Sequence, residues 1–257
     1  MCILFIAYKK HPEYNIIVAA NRDEFYERPT AKAHFWKDEP NILAGRDLHQ
    51  MGTWMGVTTK GRFAALTNFR DPYEQKGNKI SRGQIIRDYL SSASAPEEFL
   101  HTLQEQRNSY QGFNLIIGNT DSLWYYSNIQ DEIKSLSSGI YGLSNHFIDT
   151  PWPKVEKGKN DLVRCIEKSD SFSKECLFQL LKNSDPADRS ELPDTGVGSE
   201  WEQKLSPIFI ETEHYGTRSS TIITFDNNDV VDFTERSLIE GKIETVNVTY
   251  NINEGKK

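Results

Sequence analysis

The sequence predicts an α+β protein built as a four-layer αββα sandwich around two central antiparallel sheets. Strand-like runs come in blocks near the beginning, middle and end of the 257-residue chain, with a pair of helix-period segments between successive blocks. Neighbouring strands are joined by short polar connections, which antiparallel hairpins allow and parallel crossovers do not. The early runs are apolar almost throughout, so their sheets need cover on both faces.

Residues 2–8 (CILFIAY) and 15–20 (NIIVAA), joined by KKHPEY, read as a hairpin. Residues 53–59 and 62–68, separated by Lys60-Gly61, read as a second. From Ser81 the period changes. Ile85, Ile86, Tyr89 and Leu90 fall at helical spacing, as do Phe99, Leu100 and Leu103 in the next segment. Pro96 followed by Glu97 and Glu98 suits a first helical turn, where the missing N–H is no loss and negative charge meets the helix dipole. Strands return at 113–118, 122–128 and 140–145, followed by a second helical pair over 153–169 and 172–183. The polar segment 184–198, rich in Pro, Gly and Asp, reads as a surface loop. Three alternating strands then close a chain read as one domain over 1–257.

The net charge of -7 argues against a surface that tracks phosphates, so nucleic acid is not expected as a partner. The apolar run after Met1 is too short to span a membrane and has its positive charge behind it, so neither a transmembrane helix nor a signal peptide is expected. Three cysteines, Cys2, Cys165 and Cys176, are too few and too odd in number for a disulfide framework, which favours a reducing, cytoplasmic setting. Phosphate-loop, dinucleotide, serine-elbow and zinc-helix motifs are absent. The six histidines stand singly, so no metal site is named.

Two features carry chemistry. Removal of Met1 would leave Cys2 with a free α-amino group beside its thiol, an amine able to act as base for its own side chain. Cys2 is otherwise a small apolar residue at the start of a buried strand. The second feature is Asn21-Arg22-Asp23-Glu24 at the end of the next strand, read alone as a salt-bridged turn. Antiparallel pairing of 2–8 with 15–20 would set Cys2 beside this cluster. There Asp23 would hold an amine or amide and Arg22 would favour the thiolate.

The M-C start and the polar signature with Asp23 resemble the cysteine branch of the N-terminal-nucleophile (Ntn) hydrolases, which includes penicillin V acylases and bile salt hydrolases. That resemblance implies an Ntn-hydrolase-like fold with Cys2 as nucleophile, assisted by Asp23, and with Asn21 at a neighbouring polar position. AALTNF at 64–69 implies Asn68 as an oxyanion donor, and GLSNHFIDTPW at 142–152 implies Asn145 as the other. TRSSTI at 217–222 implies Arg218 as an active-site arginine. Two departures limit the transfer of specificity: the Cys2-to-Asp23 spacing of 21 residues is slightly longer, and Ala19 and Ala20 stand where the acylases have an arginine.

MCILF, AANRDEFYERP, GRDLHQMGTWMGV, GRFAALTNFRDP, SRG and YGLSNHFIDTPWPKV more closely resemble the NRDE family, also called the transport and Golgi organization protein 2 family. This implies a cytoplasmic or mitochondrial protein connected with haem trafficking or acyl-CoA metabolism. Two functions follow as expectations. One is a cofactor-independent cysteine amidohydrolase or thioesterase acting on a small-molecule or lipid-like ligand in the Cys2 pocket. The other is a carrier of haem or acyl-CoA, with Cys2 and His146 or His214 as haem ligands, Trp54, Trp124 and Trp152 as apolar surface, and Arg22, Arg46, Arg62 and Arg70 as a positive mouth. A secretory-pathway interaction module is a third reading. Oligomeric state is not set by the sequence.

Overall fold

β1 (Cys2–Tyr8) and β2 (Tyr14–Phe25) set the layers, because each buries both of its faces. Leu4, Ile6, Val18 and Ala20 enter one core, while Ile3, Phe5, Ile17 and Ala19 enter another. The computed structural model describes residues 2–74, 77, 79–167, 172–239 and 241–252. The chain continues through β3 (Thr30–Phe35), β4 (Ile42–Asp47), β5 (Met55–Thr58), β6 (Phe63–Asn68), α1 (Arg82–Ser91) and α2 (Pro96–Glu105). After these come β7 (Phe113–Gly118), β8 (Leu123–Ser127), β9 (Glu132–Leu136), β10 (Gly139–Leu143), α3 (Pro153–Glu167) and α4 (Lys174–Leu181). A short α5 (Ser199–Lys204) precedes β11 (Tyr215–Asp226), β12 (Val230–Ile239) and β13 (Lys242–Asn251).

Six strands form one antiparallel sheet in the order β10-β1-β2-β11-β12-β13, and seven form the other, from β3 to β9 in sequence order. The inner faces of the two sheets meet in a shared core that includes Leu4, Val18, Val57, Phe63, Ile116, Ile223 and Phe233. Ile85, Ile86, Leu100 and Leu103 pack α1 and α2 on the outer face of the seven-stranded sheet. Leu162, Leu177, Phe178 and Leu181 pack α3 and α4 on the outer face of the six-stranded sheet. The expected αββα sandwich is therefore the observed one.

The structure corrects several details. β2 does not stop before the polar cluster: Asn21, Arg22, Asp23 and Glu24 are all strand residues, paired to β1 on one side and β11 on the other. The anticipated salt-bridged turn is thus a buried strand end. Strands β3, β4 and β9 were not foreseen. β3 and β9 are sheet edges with mostly exposed or half-buried residues, and β4 contains Gly45, Arg46 and Asp47, so none shows a clear apolar period. The predicted helix end at 168–169 lies outside the described residues. Residues 184–198 are irregular apart from a single 3-10 turn at Arg189–Glu191.

The expectation of unpaired cysteines is also corrected, since Cys165 of α3 and Cys176 of α4 form a disulfide. Spacing gave no sign of the pair because it depends on two antiparallel helices meeting.

Gly158 fixes the height of α3 above β1. A Cβ there would lie 2.0 Å from the ring of Phe5, which is fully buried. Glycine thus lets the helix settle onto an aromatic side chain in the strand that begins with Cys2.

Alanine is favoured over glycine in an isolated helix by about 1 kcal/mol. Gly158→Ala is nevertheless expected to destabilise this protein by about 1–3 kcal/mol through overpacking on Phe5, as read by denaturant unfolding; an unchanged or raised stability would contradict this seating. Cys165→Ser should lower stability under oxidising conditions by about 3 kcal/mol, the chain-entropy value for so short a loop, and should have little effect once the wild type is reduced.

Candidate active site

The β1–β2 register sets Cys2 directly opposite Arg22. Opposed residues on a strand pair share one face, and alternation then turns Asn21 and Asp23 to the other. Cys2 and Arg22 look between the sheets into a cavity of about 500 Å³. Its wall includes Asp23, Glu24 and Arg218 from the six-stranded sheet, and Arg46, Trp54 and Asn68 from the seven-stranded sheet and its loops.

The start of α1 closes another side, with Ser81, Arg82 and Gly83 lining the cavity. It sits there because two glycines meet: a Cβ on Gly52 would lie 2.6 Å from the Gly83 carbonyl carbon, and Thr53 N–H donates to Gly83 O.

Asp23 is buried and its Oδ1 accepts from Thr217 Oγ1 at 2.7 Å. Burial raises its carboxyl above the ordinary range, with Lys154, Thr217 and Arg22 pulling against it. Asn68 ends β6 half-buried at the cavity wall.

Asn21 and Asn145 do not line the cavity. Asn21 Nδ2 donates to Leu181 O at 2.8 Å and Ile208 O at 2.9 Å, and its Oδ1 accepts from Ser220 Oγ. It therefore ties β2 to the helix layer rather than forming the pocket wall expected of it. Asn145 Nδ2 donates to Asn68 O at 2.9 Å, and Asn145 O accepts from Arg70 N. Together with Thr67 Oγ1 donating to Ser144 O, these bonds lash the end of β10 to the end of β6, so Asn145 supports the backbone of Asn68. Arg218 lines the cavity as an unopposed residue in a register shift of β11, and its Nη1 donates to the carbonyls of Phe25, Tyr26 and Arg28.

The thiol is not an activated thiolate in this chain. Burial pushes Cys2 up to about 11, the Asp23 carboxylate adds to the rise, and Arg22 and the Asp23 N–H oppose it without prevailing. The expected thiolate stabilisation by Arg22 is thus outweighed by desolvation.

A haem held as expected does not fit. No histidine lines the cavity; His146 bonds Thr150 at 2.9 Å and His214 is exposed. Among the described residues no group of three or more His, Cys, Asp or Glu is arranged to hold a metal ion. Arg62 and Arg70 also lie outside the mouth, Arg62 over the Tyr89 ring and Arg70 paired with Glu202 at 2.6 Å.

Sequence reasoning missed Lys154, Arg82 and Glu235, although Lys154 and Arg82 stand inside quoted motifs, PWPKV and SRG. Lys154 is buried on the helix side of Asp23 and donates to Leu205 O at 2.9 Å. Burial pulls its ammonium down to about 7, Arg70 adding to the fall and Asp23 and Glu202 opposing it. Arg70 stacks over Trp152 and is closed off by Glu202, so the two cations and two carboxylates form one buried group.

An unfolded lysine holds its proton to about pH 10.4. Between that value and about 7 the unfolded chain binds the extra proton, so the stability contributed by Lys154 rises with pH across this window and is least below it. The stability of wild type relative to Lys154→Met should therefore increase from about pH 7 to pH 10, with a limiting slope of about 1.4 kcal/mol per pH unit. A pH-independent difference would refute a buried lysine of this kind. Glu202→Ala, which strands Arg70, should cost about 3–5 kcal/mol in denaturant unfolding.

Residues 1–240 match the Transport and Golgi organisation 2 family. The chain is 34% identical to the mouse Transport and Golgi organization 2 homolog over 93% of this chain and 94% of that one, and equally identical, with the same coverage, to the human homolog. In three dimensions it resembles the conjugated bile acid hydrolase of Clostridium perfringens. One structure of a variant of that enzyme superposes with a TM-score of 0.54 at 10% identity, covering 97% of both chains. A second gives 0.52 at 9% identity, covering 98% of this chain and 97% of the other. These structural likenesses show an Ntn-hydrolase-like fold, and the sequence matches show that the chain belongs to the Transport and Golgi organisation 2 family.

Proposed function

We propose that this protein is an N-terminal-nucleophile cysteine hydrolase acting on an acyl amide or thioester held in the Cys2 cavity. The observation that carries this reading is the position of Cys2: the second residue of the chain opens a strand, lines a cavity between two sheets, and has Asp23 and Asn68 in the same wall.

Removal of Met1 creates the missing base. The Cys2 α-amine, with a reference pKa near 8, takes the thiol proton as Sγ attacks the carbonyl carbon. Asp23 orients the resulting ammonium, and Asn68 donates to the oxyanion, an interaction worth on the order of 3 kcal/mol. Collapse breaks the C–N or C–S bond, and the leaving group takes the proton from the ammonium. The amine then deprotonates water, which attacks the S-acyl intermediate and releases a carboxylic acid. Asn145 serves by holding Asn68, and Arg218 by holding the turn after β2.

The unprocessed chain supports a second reading. With Met1 retained and the thiol at about 11, the same cavity would carry an acyl-CoA without turnover. For localisation we propose the cytoplasm, a placement that requires the Cys165–Cys176 disulfide of the structure to be reduced there. A reducing compartment would hold Cys165 and Cys176 as a dithiol, so alkylation of both in freshly lysed cells is expected and a protected pair would contradict the placement.

Intact mass of the purified protein is expected to show loss of Met1; a retained methionine removes the hydrolase mechanism. In the processed chain iodoacetamide should label Cys2 near neutral pH, whereas an unprocessed chain should react only as pH approaches about 11. Asn68→Ala should lower kcat about a hundredfold, and Cys2→Ala should abolish turnover.

A further inference from the structure

On the helix side of β2, the side chains of Lys154, Arg70 and Glu202 form with Asp23 a buried group of which the proposed hydrolysis uses only Asp23. Hydrogen bonds decide how its charges divide. Glu202 Oε2 accepts from Arg70 Nη1 at 2.6 Å, while Oε1 accepts from Thr195 N at 2.9 Å and Thr195 Oγ1 at 2.5 Å. Both oxygens of Glu202 are therefore taken, and the carboxylate left to Lys154 is that of Asp23.

Asp23 is held as an acceptor. Thr217 Oγ1 accepts from Ile210 N at 2.9 Å, so its single proton goes to Asp23 Oδ1, 2.7 Å away. Lys154 is held as a donor. Its Nζ donates to Leu205 O at 2.9 Å, at the end of α5, where helix carbonyls favour a cation. Asp23 also feels the N-terminal amine, which draws its proton affinity down more than Lys154 or Arg22 does. One buried carboxylate is thus shared by two amines.

Two ammonium ions beside one carboxylate cannot both be neutralised, so a proton on either lowers the affinity of the other. In water a lysine holds its proton to about pH 10.4 and an α-amine only to about pH 8. Lys154 and Cys2 are both buried, at 5% and 7% exposure, so desolvation lowers the two amines together and leaves the proton with the lysine. The groups facing Lys154 are Cys2 from β1, Asp23 from β2, Arg70 from the segment after β6 and Glu202 from α5. Tyr215 of β11 adjoins the same group, and burial keeps its hydroxyl protonated and uncharged.

We propose that Lys154 is a positioning residue for the Cys2 α-amine: its ammonium occupies the charge of Asp23 and so keeps that amine a free base, ready for the thiol proton. The role rests on the hydrolase reading for its use, though not for its measurement. In the reaction the S–H proton passes to the amine and from there to the leaving group. Lys154 neither gives nor takes a proton in that step.

The test uses protein cleaved from a removable leader, so that residue 2 comes first whatever becomes of Met1. The α-amine is titrated in Cys2→Ala protein through the carbon-13 signal of the residue-2 methyl, free of the thiol. Its midpoint is expected below about pH 8, the unperturbed value. Lys154→Met should raise the amine's proton affinity about tenfold, the low end of what one neighbouring charge does to a titrating group, and Lys154→Arg should not raise it. A midpoint at or above about pH 8 with Lys154 in place overturns the assignment without requiring any Lys154 variant to fold. So does a midpoint that Lys154→Met leaves unchanged or lowers. Iodoacetamide labelling of Cys2 in the leader-cleaved, unsubstituted chain reports separately on the hydrolase reading. An amine that follows Lys154, beside a thiol that reacts only as pH approaches about 11, supports the assignment and removes the hydrolase. A thiol that reacts near neutral pH, beside an amine indifferent to Lys154, does the reverse.

Discussion

A strand with hydrogen-bonded neighbours on both edges and packed layers on both faces leaves no solvent for its side chains, and β2 is such a strand through Asp23. Its last residues are nevertheless an amide, a guanidinium and carboxylates. Buried polar groups need partners, so the surrounding structure is arranged around this strand end. Asn21 takes two carbonyls from the helix layer, Asp23 takes the Thr217 hydroxyl, and Arg22 is left with only a distant Glu24. Alternation assigns the first two to one side and Arg22 to the side of Cys2.

Two electrostatic environments therefore back onto one strand. On the helix side, Asp23 shares a closed group of two basic and two acidic side chains with Lys154, Arg70 and Glu202. On the cavity side, arginines and carboxylates line one wall, Arg22 beside Glu24 and Arg28 beside Asp47. Burial governs both. It raises the Cys2 thiol and lowers the Lys154 ammonium, each toward its neutral form, so neither is charged merely because an opposite charge is near. Under the proposed hydrolase reading a thiol in this state needs a base, which the α-amine would provide once Met1 is lost.

What was legible in the sequence follows from how local each signal is. The apolar runs of β1, β6 and β7 and the helical period of α1 and α2 depend on neighbours a few residues apart, and these elements were read correctly. Edge strands β3 and β9 bury too little to show a period. The polar end of β2 read as a turn because its burial comes from α3, α4 and β11, far away in sequence. The paired Cys165 and Cys176 were unreadable for the same reason.

By itself the sequence determined the αββα layering, the family, and the residue types at the site, because periodicity and motif order are written along the chain. It also determined that Cys2 and the Asn21–Glu24 cluster would meet, since antiparallel pairing of adjacent strands brings the start of one to the end of the next. Only the tertiary structure decided what each residue does there. It put Asn68 in the cavity wall and made Asn145 its support, turned Asn21 into the helix layer, left Asp23 at the cavity's edge with its carboxyl bonded to Thr217, and brought in Arg82 and Lys154 from separate helices. Facing and burial depend on which distant segments pack on each side of a strand, and no local pattern encodes that.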